Sequence, residues 1–190
     1  MGKKLLILTI IILAFFFVVI YISQKSTQEK NVLNNNDKLI ITNNIMQITS
    51  NAFKNQDTIP DKYTCQGQNI NPPFNISEVP NEAKSLVLVV EDPDAPTGTW
   101  IHWTLWNIDP KTTIIYEDDI PTNAVEGTTS FGKPGWGGPC PPSGTHRYFF
   151  KLFALNTMLN IPATSTIAEL SKAMEGHTLA TAEYMETVSK

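Results

Sequence analysis

The sequence predicts a mainly β domain of antiparallel strands with one or two late helices, set behind an apolar N-terminal segment. Three observations carry that expectation. Apolar or alternating runs of strand length recur at 84–92, 101–108 and 146–155, and short runs rich in β-branched and aromatic residues favour extended backbone. Proline and glycine are concentrated between those runs, at Pro93, Pro96, Pro121 and through 132–144, as in long connections between strands. Helical spacing is clear in one late stretch, 163–177.

"MGKK" leads into "LLILTIIILAFFFVVIYI", residues 5–22, eighteen residues without a charge. A helix of that length, at about 1.5 Å per residue, spans roughly 27 Å, close to the hydrocarbon thickness of a bilayer. The run ends "VVIYISQK" with no A-x-A-like triplet, so residues 1–22 read as a signal anchor and transmembrane helix in preference to a cleaved signal peptide. Lys3 and Lys4 favour a cytoplasmic N-terminus, although Lys25 and Lys30 blunt that bias. Either reading places the bulk of the protein outside the cytoplasm: membrane-anchored, or secreted after cleavage. Residues 23–45 are rich in Asn, Lys, Gln and Ser and lack aromatics. They read as a flexible tether, because such a segment buries too little apolar surface to offset the entropy of ordering. One domain follows, 46–190.

Within the domain, "KSLVLVVED" (84–92) is a near-continuous apolar run suited to a buried strand. In "IHWTLWNI" (101–108), strict alternation places His102, Thr104 and Trp106 on one face. In "HRYFFKLFAL" (146–155) it groups His146, Tyr148 and Phe150. The stretch 163–177 reads as a helix, with Ser165 or Thr166 as cap, Ile167, Leu170 and Met174 on one stripe, and Gly176 at its end. The tail reads as a last strand in its second half.

The formal net charge of −4 and pI near 5.3 give no electrostatic reason to expect nucleic-acid binding. Three histidines and two cysteines exclude a Cys-rich zinc site and leave a mixed His/Asp site open. Two polar clusters sit in Pro/Gly-rich connections: Asp92 and Asp94 of "EDPDAP" with His102 shortly after, and Cys140, His146 and Tyr148 of "GGPCPPSGTHRYFF". If the three long strands are neighbours, both clusters meet at one sheet end, where loops on a rigid scaffold carry function. A nucleophile, a metal site and the rim of an anion pocket all fit the second cluster. Plain structural roles fit as well: "DPDAP" is a natural Asx turn, His102 between Trp100 and Trp103 suits a hydrogen-bonded core position, and His177 after Gly176 suits a loop.

Taken together, "DPDAP", then "HW" and then "GPCPPSGTHRYFFKLFAL" resemble the phosphatidylethanolamine-binding protein (PEBP) family, and within it the prokaryotic Raf-kinase-inhibitor-like branch. The resemblance covers about 46–190 and includes "IPDKYTCQGQNINPP" (59–73) and "ELSKAMEGHTLATAE" (169–183) in the family's order. It implies antiparallel sheets in a Greek-key arrangement with short helices near the C-terminus. It also implies a small pocket for anions such as phosphate or a phosphorylated head group, built here from Asp92, Asp94, His102, Pro142, His146 and Tyr148. Trp136 stands where tyrosine is usual, Asn71 where serine is usual, and "NISEVP" lacks a common tryptophan; these departures are expected at the pocket rim, where they bear on ligand size.

Such a pocket is chemically coherent. Imidazole N–H groups, a tyrosine hydroxyl and loop amides donate to an anion. An aspartate beside a histidine fixes its tautomer and favours its charged form, or attracts the ammonium of a zwitterionic head group. The leading expectation is therefore a non-catalytic binding module, without cofactor or metal, for a small anion or phospholipid head group outside the membrane. A serine protease inhibitor or other regulatory protein-interaction module is the alternative. A hydrolase using Cys140 and His146, or a His/Asp metal site, is the third reading; no helix N-terminus activates the cysteine and no H-E-x-x-H motif is present. In a fold of this family the loops carrying Cys65 and Cys140 are expected to approach each other, and in an exported domain the two cysteines are expected to form a disulfide.

Overall fold

The computed structural model of the chain describes residues 45–190, so the predicted anchor and all of the tether except Ile45 lie outside the described residues. No helix among the described residues is long and apolar enough to cross a membrane. The strands are β1 (Gln47–Thr49), β2 (Phe74–Ser77), β3 (Ser85–Asp92), β4 (Trp100–Ile108), β5 (Ile114–Ile115), β6 (Val125–Glu126), β7 (Thr145–Leu155) and β8 (Thr178–Ser189). A 3-10 turn covers Asp61–Tyr63, and the helix α1 covers Ile167–Met174 between β7 and β8.

The three long strands are neighbours, as their apolar runs imply: the large sheet has the order β6-β4-β3-β7-β8 and is antiparallel throughout. The small sheet is β1-β2-β5. β3 lies at the centre of the large sheet and is covered on both faces. Leu86, Leu88 and Val90 pack toward the small sheet with Phe74, Ile76 and Ile115, while Val87 and Val89 pack with Trp106, Leu170 and Met174 under α1. Each such side chain stabilises by about 1.5–3 kcal/mol on burial, which is why this strand shows no polar alternation.

α1 is shorter than the 163–177 stretch. It begins after Thr166, whose backbone N–H and hydroxyl both donate to Glu169, and the chain turns out of it through Gly176 at φ 75°. His177 bonds Asn156 through Nδ1 at 2.8 Å on an exposed loop. The last strand fills the whole tail from Thr178.

Strict alternation fails in β4, which carries two register shifts against β3. One lies between the Leu86–Ile108 and Leu88–Leu105 pairs, the other between Val90–Trp103 and Glu91–Ile101. Each adds one residue to β4. At the first, Asn107 takes φ 58°, a left-handed conformation asparagine tolerates, and its side chain bonds Leu159 through both N–H and C=O. At the second, the extra residue is His102. Bulges re-aim side chains, so His102 does not share a face with Thr104 and Trp106. Trp106 packs beneath α1, whereas His102 turns to the opposite face, toward β7.

The edge of β8 is held by the segment Phe53–Ile59. Tyr184 donates its hydroxyl to Phe53 O at 2.6 Å, and the backbone N–H groups of Gln56 and Ile59 donate to Met185 O and Thr187 O. Glu186 is fully buried here and accepts from Asp57 N–H at 2.7 Å.

Candidate functional site

Both polar clusters meet at one end of the large sheet. Asp92 closes β3, His102 lies at the bulge near the start of β4, and His146 and Tyr148 lie on one face at the start of β7. Together they line a cleft of about 240 Å³, with Pro96, Trp100, Phe131, Cys140 and Pro142 completing its lining. That volume is below the usual range for drug-sized ligands and suits a small group. A wider groove of about 590 Å³ beside β5 gathers no histidine, cysteine or buried carboxylate.

Asp92 organises the cleft. Its Oδ2 accepts from His146 Nδ1 at 2.7 Å, and its Oδ1 accepts from Asp94 N–H at 2.8 Å. The Asx turn of "DPDAP" and its role beside a histidine are thus the same feature. His146 is held in the tautomer with Nδ1 protonated, leaving Nε2 without a protein partner among the described residues. His102 donates Nδ1–H to Gly137 O, and Gly137 N–H donates back to His102 O at 3.0 Å. Because a carbonyl can only accept, the proton is on Nδ1. Burial holds the His102 pKa below the ordinary histidine value, against the opposing pull of the Gly137 bond and Asp92. The ring is therefore neutral near pH 7, and its Nε2 is an acceptor. The Tyr148 ring meets the His102 ring edge-on at 5.2 Å. Its buried hydroxyl lies near Asp92 and the Cys140 amide but meets no partner in hydrogen-bond geometry among the described residues. Burial, and then the Asp92 charge, raise its pKa, so it stays a neutral donor.

Asp94 stands apart from the rest of the expected set. Its carboxylate faces the outer side of β7 and takes three bonds from Arg147: from the backbone N–H at 3.0 Å, Nε at 2.9 Å and a terminal guanidinium nitrogen at 2.7 Å. Those bonds hold its pKa down at about 2. Asp94 therefore fixes the turn and occupies Arg147, and it does not line the cleft. Trp136 and Asn71 are not rim residues either. Trp136 packs against Trp103 and Phe150 and donates to Tyr63 O, and the Asn71 amide donates to Tyr116 O.

Cys65 and Cys140 form a disulfide, with Cα atoms 5.4 Å apart. The two loops it joins are also linked by Cys65 N–H to Pro139 O and Gly138 N–H to Asn69 Oδ1. Gly138 permits that approach: a Cβ there would lie 2.4 Å from Asn69 Oδ1 and 2.6 Å from Tyr63 O. The bonded sulfur supplies no thiolate, so Cys140 is not the nucleophile of the third reading. Sequence reasoning missed the walls Trp100 and Phe131 and the lock from Gly137. Phe131 packs directly on Gly137, where any Cβ would overlap its ring; no motif marks such a contact.

The fold has clear relatives among known proteins. The family model described as phosphatidylethanolamine-binding protein matches residues 49–189. A UPF0098 protein of Methanothermobacter thermautotrophicus is 44% identical over 143 residues, which is 73% of this chain and 95% of that protein. The crystal structure of a PEBP homologue from Chlamydia trachomatis is 46% identical with a TM-score of 0.75, covering 77% of this chain and 99% of that one. YbcL of E. coli, described as a new member of the mammalian PEBP family, is 34% identical with a TM-score of 0.72, over 76% of this chain and 98% of its own. With matching motifs, topology and family model over the whole β domain, the chain belongs to the phosphatidylethanolamine-binding protein family.

Proposed function

We propose that the domain is a non-catalytic binding module that holds a small anionic group, of the phosphate or phospholipid head-group kind, outside the membrane. The observation that carries this reading is the convergence of Asp92, His102, His146 and Tyr148 on one small cleft, with both Nε2 atoms and the tyrosine hydroxyl lacking protein partners among the described residues. Buried polar groups normally find partners; the Tyr148 hydroxyl is buried without one, and together with two open imidazole nitrogens on the same cleft it suits a polar ligand. The Cys65–Cys140 bond weighs against a hydrolase that uses Cys140 as its nucleophile.

Replacing His146 with alanine is expected to weaken binding of inorganic phosphate at least tenfold, about 1.4 kcal/mol, by titration calorimetry. Unchanged affinity would remove the histidine from the site and undo the reading. The disulfide supports placement outside the cytoplasm, since such bonds persist in oxidising compartments. With residues 5–22 as the anchor, full-length protein is expected to stay with membranes through a carbonate wash. Soluble protein whose N-terminus begins near residue 24–30 would instead identify a cleaved signal.

A further inference from the structure

β8 is the outer strand of the large sheet, and its free edge is covered by one short stretch of chain. Phe53 and Ile59 are buried at the two ends of that stretch, and residues 54–58 between them are exposed. The exposed residues carry much of the attachment. Gln56 N–H donates to Met185 O at 2.8 Å, Thr187 N–H donates to Asp57 O at 3.1 Å, and Met185 N–H donates to Asn55 Oδ1 at 3.0 Å. A run of five polar residues that buries no apolar side chain and holds on by a few hydrogen bonds is a unit of low local stability.

A carboxyl lies beneath this run. Glu186 is fully buried. Asp57 N–H donates to its Oε2 at 2.7 Å, and its Oε1 has no partner among the described residues. An ionised carboxylate accepts at about four sites, so a charge here is poorly matched, and burying an unmatched charge is costly. The Asp57 carboxylate adds a like charge nearby. The other titratable groups around the site are the Tyr184 hydroxyl on β8, which donates to Phe53 O, Tyr148 opposite on β7 with His146 two residues along the same face, and Lys54 on the exposed run.

We propose that residues 54–58 are a pH-sensitive latch on the β8 edge, closed over Glu186 while it holds its proton and released when it ionises. Release frees the backbone groups of Met185 and Thr187 and lets water reach the carboxylate. Phe53 and Ile59 stay in the core, so the two sheets keep their packing. Burial sets the direction. With the latch closed, Glu186 keeps its proton up to about 7; with it open, the side chain titrates as a solvated glutamate, near 4.3. Between those values each unit of pH favours the open form by close to tenfold, and above them the bias is constant.

The test is hydrogen exchange on the full-length protein, read by mass spectrometry from pH 5 to pH 8, with each rate divided by that of a free amide at the same pH. The amides of Gln56, Met185 and Thr187 are expected to exchange through a local opening. They should be less protected than those of Val89 and Leu152 in the middle of the sheet, and insensitive to urea below the unfolding transition. Their protection should fall at least tenfold between pH 5 and pH 8. In Glu186→Gln, which keeps the acceptor for Asp57 N–H, protection should stay at its pH 5 level throughout. Asp57→Asn, which keeps the acceptor for Thr58 N–H and removes the like charge, should show a smaller fall than the wild type. Protection equal to that of Val89 and Leu152, with the same urea dependence, would overturn local release. A pH-independent protection in the wild type, or a fall that persists in Glu186→Gln, would overturn the role of the Glu186 proton.

Discussion

Reducing the Cys65–Cys140 bond is expected to lower the thermal midpoint by on the order of 10 °C and to loosen the cleft. The bond joins residues 75 apart. In the chain-entropy account, opening a loop of that length removes about 4 kcal/mol of stability by freeing the unfolded chain, and a domain of this size loses a few degrees per kcal/mol. The Cys65–Pro139 and Gly138–Asn69 hydrogen bonds still hold the two loops, so the reduced protein should fold, but less stably. The same loop places Pro142 and the Cys140 amide in the cleft, so phosphate affinity should fall with it. Thermal melts with and without reductant, beside a Cys65→Ser/Cys140→Ser variant, measure the effect. Superimposable melts would show that the two loops are held by their packing and backbone bonds alone.

The long strands were legible because their side chains repeat with period two between proline- and glycine-rich breaks, and the predicted runs match β3, β4 and β7 to within a residue at either end. β1, β2, β5 and β6 were not read. At two to four residues each they hold too few side chains to show a period, and they form only where tertiary packing gives them a partner. The site was legible as a set of motifs and only partly as geometry. His146 and Tyr148 follow from simple alternation. His102 does not, because the bulge that brings it to the cleft depends on pairing with β3. The Asp94 pairing was not legible because its partner, Arg147, sits 53 residues away, and nothing local shows which side of the turn its carboxylate takes. The cysteine pair was expected from the family resemblance; the sequence by itself gives no distance between two loops.

Glu186 was not singled out in the sequence, yet it carries the second large expected effect. Glu186→Gln is expected to match the wild type at pH 5 to within about 1 kcal/mol and to exceed its stability by up to about 3 kcal/mol at pH 8. The carboxyl is fully buried opposite Tyr148 in the β7–β8 pairing, with Oε1 lacking a hydrogen-bond partner among the described residues. Burial is the main cause that pushes its pKa up to about 7; the bond from Asp57 N–H and the nearby Tyr184 hydroxyl pull the other way, and the Asp57 charge adds to the rise. In the unfolded chain a glutamate titrates near 4.3. Below that pH both states hold the proton and the site contributes no slope. Between there and about 7 the folded state keeps a proton the unfolded state has released, so stability falls as the pH rises, by about 1.4 kcal/mol per unit of separation. Above 7 the loss is complete. His102, whose folded pKa is lowered, acts in the opposite sense: it adds stability as the pH rises toward 6.5. The wild-type curve alone therefore mixes the two, and the difference between variant and wild type isolates Glu186. The glutamine amide keeps the acceptor for Asp57 N–H and carries no charge to bury. Urea unfolding of both proteins at pH 5 and pH 8 gives that difference directly. A gap that is the same at both pH values would mean that Glu186 titrates normally in the folded protein, and that the Phe53–Ile59 segment is held to β8 without regard to its proton.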